Sequence, residues 1–338
     1  MVRNLKIGVI GAGRIGKVHA RTFSTLVSGA SVGAIADTNG KAAHELASLY
    51  DVPKTYTDHK DLLADPEIGA IAICTPTEFH APMIVDAANA GKHIFCEKPL
   101  AFDLADIDQA LEAVRKSGVT FLMGFNRRHD VGHTRIRRDV MAGRIGSPEL
   151  CHIISRDPAP PTAEYIRTSG GIYVDMMIHD FDLSRYLLND DPEEIFATGS
   201  CLVEPEFAKY DDVDTAMVII RFKSGAICNI DNSRRAIYGY DQRVEVMGSK
   251  GRLSTYNMLE DNTQFAGPDG FQEPRALNFF MERYIPAFQA EGIHFVDCVL
   301  NGTTPSCTGM DGRAAVVMAK AAALSAKTGR FVNVNEIG

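Results

Sequence analysis

The chain has 338 residues, of which 45% are hydrophobic and 23% are charged, and its formal net charge is −8. This length is sufficient for two domains with separate cores, and the composition is typical of globular proteins. The negative charge argues against binding to nucleic acid or to anionic membranes, and no apolar run approaches the roughly 20 residues of a membrane-spanning helix.

The seven cysteines are odd in number, and no two of them share a C-x-x-C spacing. This argues against a disulfide framework and against a zinc knuckle. It favours reduced, mostly buried thiols and therefore a cytoplasmic protein.

The first predicted strand is the apolar run LKIGVI, which leads directly into the motif G-A-G-R-I-G and then into a helical stretch. A G-x-G-x-x-G motif between a strand and a helix is typical of dinucleotide-binding proteins. Its glycines permit a tight turn, the approach of a pyrophosphate and close helix packing, and the helix N-terminus faces the phosphate charge. The alternative is a glycine-rich turn without a ligand. The predicted cofactor-binding residues here are Gly11, Gly13, Arg14, Ile15 and Gly16.

The second predicted strand, SVGAIAD, ends at Asp37. A carboxylate about 20 residues beyond the glycine motif accepts hydrogen bonds from the adenosine ribose and repels the 2′-phosphate of NADP. No arginine follows it, and Lys41 is the nearest cation. We therefore expect Asp37 to bind NAD in preference to NADP, the alternative being an ordinary turn aspartate.

Strands and helices continue to alternate as far as residue 125, with further strands predicted at 70–76, 93–99 and 119–125. Such alternation predicts a doubly wound parallel sheet, that is, an α/β Rossmann domain over residues 1–125. Ligands bind at the carboxyl ends of such strands. The residues predicted to lie there and to contact the cofactor are Thr75, Pro76, Glu97 and Lys98.

Lys98 closes an apolar strand and precedes Pro99, which restricts its backbone and permits a cis bond. A role in the site is the interpretation that we prefer to a surface lysine.

The pattern changes after residue 125. A helix is predicted at 130–142, a strand at 150–158, and from about residue 195 consecutive strands with short turns, which suggest an antiparallel meander. We therefore expect a second, α+β domain over residues 126–338 with a large, mainly antiparallel open sheet. A late helix at about 313–327 is expected to pack back on the main body.

The stretch 171–188 is predicted to be one helix, largely apolar, with Asp175, His179, Asp182 and Tyr186 on one face. Polar groups inside a buried helix are costly unless they serve a purpose. Three interpretations remain open on spacing alone, namely a metal site, a structural polar network and an acid–base pair.

Hydride chemistry connects the two halves of the sequence. When NAD⁺ takes a hydride from an alcohol carbon, the hydroxyl proton must leave as well. A neutral histidine is a suitable base and a lysine ammonium stabilises the developing negative charge. This hypothesis requires that Lys98 and His179 act on the same oxygen atom.

Four segments together resemble one known family: G-x-G-R-I-G-x-x-H at the start, CEKP at 96–99, GGIYVDMMIHDFDLSRYL at 170–187 and YGYDQRVEVMGSKG at 238–251. The chain resembles the Gfo/Idh/MocA oxidoreductases, and within them the inositol 2-dehydrogenases, over nearly its whole length.

The resemblance implies that Lys98, Asp175 and His179 form the catalytic triad, with His179 as the general base, Lys98 as the charge stabiliser and Asp175 as the orienting carboxylate. It implies no metal and a homotetramer assembled through the open face of the second sheet. The candidates that it suggests for substrate binding are Arg127, Asp157 and Tyr238.

The activity implied is NAD-dependent oxidation of a cyclic polyol, with myo-inositol going to 2-keto-myo-inositol (scyllo-inosose). The alternatives are a dehydrogenase for another inositol isomer or an aldose sugar, and a non-catalytic NAD-binding sensor or corepressor of the same fold.

Overall fold

The structure, a computed structural model, describes residues 4–338. The chain divides into two units: the first comprises the chain up to His129 together with Pro286–Val316, and the second comprises Asp130–Ile285 and Val317–Gly338. The sequence-based division placed all of 126–338 in the second domain. Residues 286–316 group with the first unit because they carry aromatic rings into its core, where Phe295 lies 5.8 Å from Phe95 between ring centroids.

The strands alternate with helices in the first unit and follow one another in the second. The strands are β1 (Leu5–Ile10), β2 (Ala30–Ala36), β3 (Thr55–Tyr56), β4 (Ala70–Ile73), β5 (His93–Glu97), β6 (Phe121–Gly124), β7 (Pro148–Arg156), β8 (Pro192–Ser200), β9 (Thr215–Phe222), β10 (Ile227–Ser233), β11 (Asp241–Gly248), β12 (Gly251–Thr255), β13 (Phe265–Gly267), β14 (Gly270–Gln272) and β15 (Val332–Asn333).

The helices are α1 (Arg14–Arg21), α2 (Gly40–Leu49), α3 (His59–Ala64), α4 (His80–Asn89), α5 (Leu104–Ser117), α6 (Val131–Met141), α7 (Ala163–Ser169), α8 (Ile172–Asp175), α9 (Ile178–Leu188), α10 (Phe280–Arg283), α11 (Ile285–Asn301) and α12 (Gly309–Thr328). Short polar side chains cap several N-termini, and those of Asn39, Asp58, Asp103 and Asp130 accept backbone N–H groups.

The first unit contains the predicted parallel sheet, in the order β3-β2-β1-β4-β5-β6. The strands pair in parallel throughout, and β4 is buried at every position, as its unbroken apolar sequence requires. The strand order reverses between β1 and β4, and the crevice outside the carboxyl ends at such a reversal is where ligands bind. The α/β fold expected for the N-terminal half is confirmed.

The second unit contains a seven-stranded sheet in the order β12-β11-β7-β10-β9-β8-β15. It is mainly antiparallel, as predicted, but the simple meander was wrong at one point. β7 lies between β10 and β11 and pairs with β10 in parallel, with Cys228 beside Cys151. Turn residues in the sequence indicate where the chain reverses. They do not indicate that a strand from earlier in the chain, here β7, lies between two later strands.

The core of the second unit lies between one face of this sheet and the helices α6, α8, α9 and α12. β9 alternates strictly between buried and exposed residues, which places Val218 and Ile220 in the core. Phe181 of α9 and the small residues Ala319 and Ala322 of α12 pack against them. The other face of the sheet is open and carries partly exposed apolar side chains from β7, β9 and β10, namely Leu150, Met217, Ile219 and Ile227.

Within residues 4–338 no helix has the length and apolar character needed to span a membrane. All seven cysteines are free thiols, and six of them are buried. Burial raises the pKa of the Cys74 and Cys96 thiols well above the usual value, which disfavours the reactive thiolate.

Candidate active site

The glycine-rich turn between β1 and α1 is shaped by its backbone. Gly11 has a φ of +101°, and a Cβ placed there would lie 2.6 Å from the carbonyl oxygen of Cys74. A Cβ at Gly16 would lie 1.9 Å from the carbonyl oxygen of Gly11, so neither position accepts a side chain without a shift. A Cβ at Gly13, by contrast, would meet no atom within 4 Å.

The open space at Gly13 lies at the start of α1, whose first residue is Arg14 and whose second is Ile15. The first turn of α1 contains no acidic residue. The N–H groups that point out of a helix N-terminus and the helix dipole favour an anion at this point. The predicted turn thus fits the pyrophosphate of a dinucleotide.

Asp37 lies at the end of β2, where its carboxylate is held against the same turn. It accepts the backbone N–H of Ala12 at 2.7 Å and that of Asn39 at 2.8 Å. A carboxylate has about four lone-pair positions, so two remain for ribose hydroxyls. The nearest following cation in the sequence, Lys41, is solvent-exposed. These contacts fit the predicted role of Asp37 in NAD selection.

The predicted residues of β4 and β5 lie where the argument from parallel strands expects them. Thr75 and Pro76 follow β4, Glu97 ends β5, and Lys98 comes next with a half-buried side chain. The peptide bond between Lys98 and Pro99 is cis. The Lys98 backbone N–H donates to the Glu97 carboxylate at 3.3 Å, so the side chain of Glu97 supports the backbone of the residue predicted to be catalytic.

A buried group of titratable residues, which the sequence patterns did not indicate, lies next to the end of β5. Glu97 Oε1 contacts His19 Nε2 at 2.6 Å, and His19 is 1% exposed. Glu291 of α11 is 0% exposed, and neither of its carboxylate oxygens has a hydrogen-bond partner in the described structure. Burial, with a smaller contribution from the charge of Glu97, raises the pKa of Glu291 well above the usual value. The raised pKa favours the protonated, neutral form of Glu291 in the folded protein.

In the second unit, the single helix predicted over residues 171–188 was wrong. α8 ends at Asp175 and α9 begins at Ile178. The backbone N–H of Met177 bonds to the carbonyl of Ile172 at 2.9 Å, five residues back, so one extra residue interrupts the regular helix. The i, i+4 spacing of Asp175 and His179 therefore crosses an irregular turn. Such a turn is not visible in the pattern of apolar residues.

The carboxylate of Asp175 is clamped from two sides. Tyr165 donates its hydroxyl to Oδ1 at 2.7 Å, and Arg234 donates Nη2 to Oδ2 at 2.9 Å. Asp175 is 8% exposed. Burial, together with the negative charge of Asp175, raises the pKa of Tyr165, which keeps the phenol protonated as a donor.

Arg234 connects Asp175 to a second predicted residue. Its Nη1 lies 3.3 Å from Oδ2 of Asp157, so one guanidinium bridges the two carboxylates. Arg234 is 4% exposed. Burial opposes its charge, but Asp175 and Asp157 outweigh burial and raise the pKa of Arg234 above the usual range. The structure thus brings together Asp157 and Asp175 through an arginine that the sequence analysis missed.

The other polar residues around α9 separate into different environments. His179 is half-buried in the first turn of α9. Asp180, the residue after it, is fully buried and accepts from the side-chain amide of Asn232 at 3.0 Å. Asp182 is 1% exposed, and Tyr186 lies beneath the guanidinium of Arg137, 5.3 Å from its ring centroid. Asp182 of the predicted polar face is thus buried and Tyr186 packs against a guanidinium, whereas His179 is partly exposed. Among residues 4–338, no group of three or more His, Cys, Asp and Glu side chains has an arrangement that holds a metal ion.

The remaining two predicted substrate residues are Tyr238, in the second unit, and Arg127, in the first. Tyr238 donates its hydroxyl to Asp241 at 2.7 Å and accepts from Arg156 at 3.0 Å. Arg127 lies in a 3₁₀ turn of the first unit, Asn126–His129, and is 4% exposed.

Sequence patterns did not indicate Arg234 or His19 as site residues, and the two differ in whether the sequence contained a usable signal for them. Arg234 comes 59 positions after Asp175 and directly follows β10, so no local spacing connects the two. His19, in contrast, follows Gly16 by three residues within the glycine motif. Its buried position on α1, directly after that motif, was a signal from which a role in the site could have been predicted.

Comparison with known proteins adds an independent observation. Residues 5–125 match the domain described as "Oxidoreductase family, NAD-binding Rossmann fold", and residues 133–254 match the "GFO/IDH/MocA C-terminal domain". A myo-inositol 2-dehydrogenase of Thermotoga maritima is 44% identical over 98% of this chain and 99% of its own length. An inositol 2-dehydrogenase of Rhizobium meliloti is 40% identical over 98% of this chain and 99% of its own.

A solved structure of scyllo-inositol dehydrogenase from Lactobacillus casei, with bound NAD(H) and scyllo-inositol, has a TM-score of 0.92 to this chain. The two are 28% identical, and the match covers 98% of this chain and 99% of that one.

Proposed function

This chain belongs to the Gfo/Idh/MocA family of NAD-binding oxidoreductases, and from that premise we propose that it oxidises a cyclic polyol with NAD, taking myo-inositol to 2-keto-myo-inositol. The observation that carries the choice of substrate class is the pair Asp157 and Asp175 joined by the buried Arg234. Inositol dehydrogenases at 40 to 44% identity over the full length support the same choice.

The polar group of the second unit suits a neutral substrate with many hydroxyls. The guanidinium of Arg234 pairs with Asp157 and Asp175, and a carboxylate paired in this way only accepts hydrogen bonds. The negative charges of the two carboxylates disfavour a carboxylated or phosphorylated sugar beside them. A polyol donates through each of its hydroxyls and carries no charge, so it fits this group.

We assign the chemical roles to Lys98, Asp175 and His179. Oxidation of the alcohol breaks a C–H bond and an O–H bond and forms a ketone, and bound NAD⁺ supplies the acceptor for the hydride. His179 takes the hydroxyl proton as general base, which its imidazole can do near neutral pH. The Lys98 ammonium stabilises the negative charge that develops on the oxygen. Asp175, held by Tyr165 and Arg234, orients the proton acceptor and accepts a substrate hydroxyl.

Cofactor roles follow the same division. The turn at Gly11, Gly13 and Gly16, with Arg14 and Ile15, would hold the pyrophosphate. Asp37 would bind the adenosine ribose. The residues after β4 and β5, including Thr75, Pro76, Glu97 and Lys98, would face the other half of the dinucleotide.

Steady-state rates on a panel of substrates test the proposal. We expect NADH formation with myo-inositol and slower or no turnover with NADP. The panel includes scyllo-inositol, an aldose and a sugar phosphate. If the aldose reacts and neither inositol does, the substrate assignment is wrong, although the chain remains a dehydrogenase.

A paired substitution separates the enzyme from a non-catalytic NAD sensor. Removing a general base lowers kcat by about 10²–10⁴-fold. We expect His179→Asn and Lys98→Met to lose turnover while NADH still binds, as followed by its fluorescence. A wild-type protein that binds NADH and oxidises no polyol or sugar would indicate the sensor instead.

We also propose a cytoplasmic homotetramer. The partly exposed apolar residues on the open face of the sheet, among them Met217 and Ile219, support assembly through that face. The free cysteines support a reducing compartment. Light scattering on the purified protein measures the assembly, and a monomeric mass at micromolar concentration would contradict it.

A further inference from the structure

His80, the first residue of α4, is placed between two of the loops that form the nucleotide end of the sheet. Its Nδ1 lies 2.6 Å from the carbonyl oxygen of Pro99, and its Nε2 lies 2.8 Å from the carbonyl oxygen of Thr75. The side chain is buried, with 1% of the residue exposed. One imidazole therefore spans the loop after β4 and the loop after β5.

The chemistry of the two contacts is demanding. A carbonyl oxygen only accepts, and a neutral imidazole has a single N–H, so a neutral ring satisfies one of the two carbonyls at a time. Burial lowers the pKa of His80, opposed by the two carbonyls and by the charge of Glu97, while the charge of Lys98 lowers it further. The carbonyl oxygens of Thr75 and Pro99 accept from the single N–H of this ring one at a time. His80 therefore makes specific polar contacts with two loops and does more than fill space in the core.

The contact continues a chain of backbone packing that starts at the glycine-rich turn. Gly11 has no side chain and lies against the carbonyl of Cys74. Thr75 follows, its carbonyl meets His80, and the opposite side of the imidazole meets the carbonyl of Pro99. Pro99 is joined to Lys98 by the cis bond. The positions of the pyrophosphate turn and of Lys98 are thus connected through His80.

We propose that His80 is a positioning residue: its Nδ1 contact with the Pro99 carbonyl sets the location of Lys98, and its Nε2 contact with the Thr75 carbonyl sets the loop after β4 relative to it, with the ring proton donated to one carbonyl at a time. This inference rests on the proposed role of Lys98 in polyol oxidation. It assigns His80 a part in the reaction without contact to substrate.

Two substitutions separate the two bonds. The amide nitrogen of His80→Asn occupies about the place of Nδ1 and retains the bond to Pro99, whereas that of His80→Gln occupies about the place of Nε2 and retains the bond to Thr75. Because both neighbours are acceptors, each amide presents its nitrogen. Ile84→Ala is the matched control, since Ile84 is one turn further along α4 and fully buried but apolar.

We expect His80→Gln to lower kcat with myo-inositol by about tenfold, the size of one lost hydrogen bond, and His80→Asn to retain most of kcat. A second measurement needs no turnover. The ratio of NADH affinity to ADP-ribose affinity reports the nicotinamide end alone, because ADP-ribose lacks that end. This ratio should fall in His80→Gln and not in His80→Asn or Ile84→Ala.

Equal effects of Asn and Gln on both measurements, or a change in Ile84→Ala as large as that in His80→Gln, would show that His80 is only part of the core and would overturn the proposal. A wild-type protein that turns over no polyol would instead remove the proposed function. In that case the affinity ratio still decides the role of His80.

Discussion

The two polar regions of this protein are built in different ways. In the first unit the nucleotide end is shaped by backbone, with glycines at 11, 13 and 16 and with Thr75 and Lys98 in the loops that follow β4 and β5. In the second unit the group around Asp175 is made of side chains from separate elements, namely Asp157 after β7, Tyr165 on α7 and Arg234 after β10. The backbone-shaped region can be predicted from local sequence, whereas the group of side chains around Asp175 forms only when the chain has folded.

The difference predicts which substitutions damage the fold and which damage binding. Where a turn is shaped by its backbone and has open space, the fold accommodates a new side chain, but that side chain blocks ligand binding. A buried side-chain network loses stability when one member is removed, because the remaining charges stay buried without a partner.

The largest effect is expected at Arg234. Replacing it with methionine leaves Asp157 and Asp175 facing each other without the guanidinium that joins them. Removing one partner of a buried ion pair costs about 3–5 kcal/mol. Urea unfolding of Arg234→Met should show this loss, and polyol turnover should be abolished. A variant with wild-type stability would mean that the network does not hold the second site together.

Gly13 and Gly16 form the sharpest contrast in the first unit. A Cβ at Gly13 meets no atom within 4 Å, so Gly13→Val should fold normally and weaken NADH binding by about a hundredfold, or about 2.7 kcal/mol. A Cβ at Gly16 lies 1.9 Å from the Gly11 carbonyl, so Gly16→Ala should destabilise the protein by about 1–3 kcal/mol. Thermal unfolding and NADH titration measure both. Similar stabilities and similar NADH affinities for the two variants would contradict this distinction.

Asp37 tests how much of the cofactor preference lies in one side chain. Its carboxylate accepts the N–H groups of Ala12 and Asn39 and leaves lone pairs for a ribose. Asp37→Ser should reduce the preference for NAD over NADP by about tenfold, because the repulsion of the 2′-phosphate is lost. The ratio of kcat/KM values with the two cofactors measures it, and an unchanged ratio would assign the selection to other residues.

Glu291 should give the smallest change, and in the opposite direction. Its pKa is raised in the folded state, so between the ordinary value of 4.5 and the raised value the folded protein binds one more proton than the unfolded chain. Its contribution to stability is therefore fully present below about pH 4.5 and is lost as pH rises toward the folded pKa. Glu291→Gln, which is neutral at every pH, should be more stable than wild type at pH 8.

Melting temperatures of Glu291→Gln and wild type across pH 5–9 measure this difference, which should widen as pH rises. A lower melting temperature for the variant throughout that range would mean that the carboxyl group is ionised and paired.

Local patterns predicted the parts of the structure that depend on neighbours in sequence. They correctly placed the turn from Gly11 to Gly16 after β1, the carboxylate of Asp37 after β2 and the lysine directly after β5. The break between α8 and α9 was missed because an inserted residue at Met176–Met177 leaves the apolar pattern intact. The position of β7 was missed because its pairing partners lie 77 to 100 residues later.

The sequence by itself therefore determined the parallel sheet, the nucleotide turn, the mainly antiparallel character of the second sheet and the family. These depend on periods of two or about four residues and on glycines at fixed offsets, which act within one turn of chain. Only the tertiary structure decided that Arg234 joins Asp157 to Asp175, that His80 spans Thr75 and Pro99, and that Pro286–Val316 belongs with the first unit. Such contacts form between different elements and loops, and their geometry is fixed by how those elements pack.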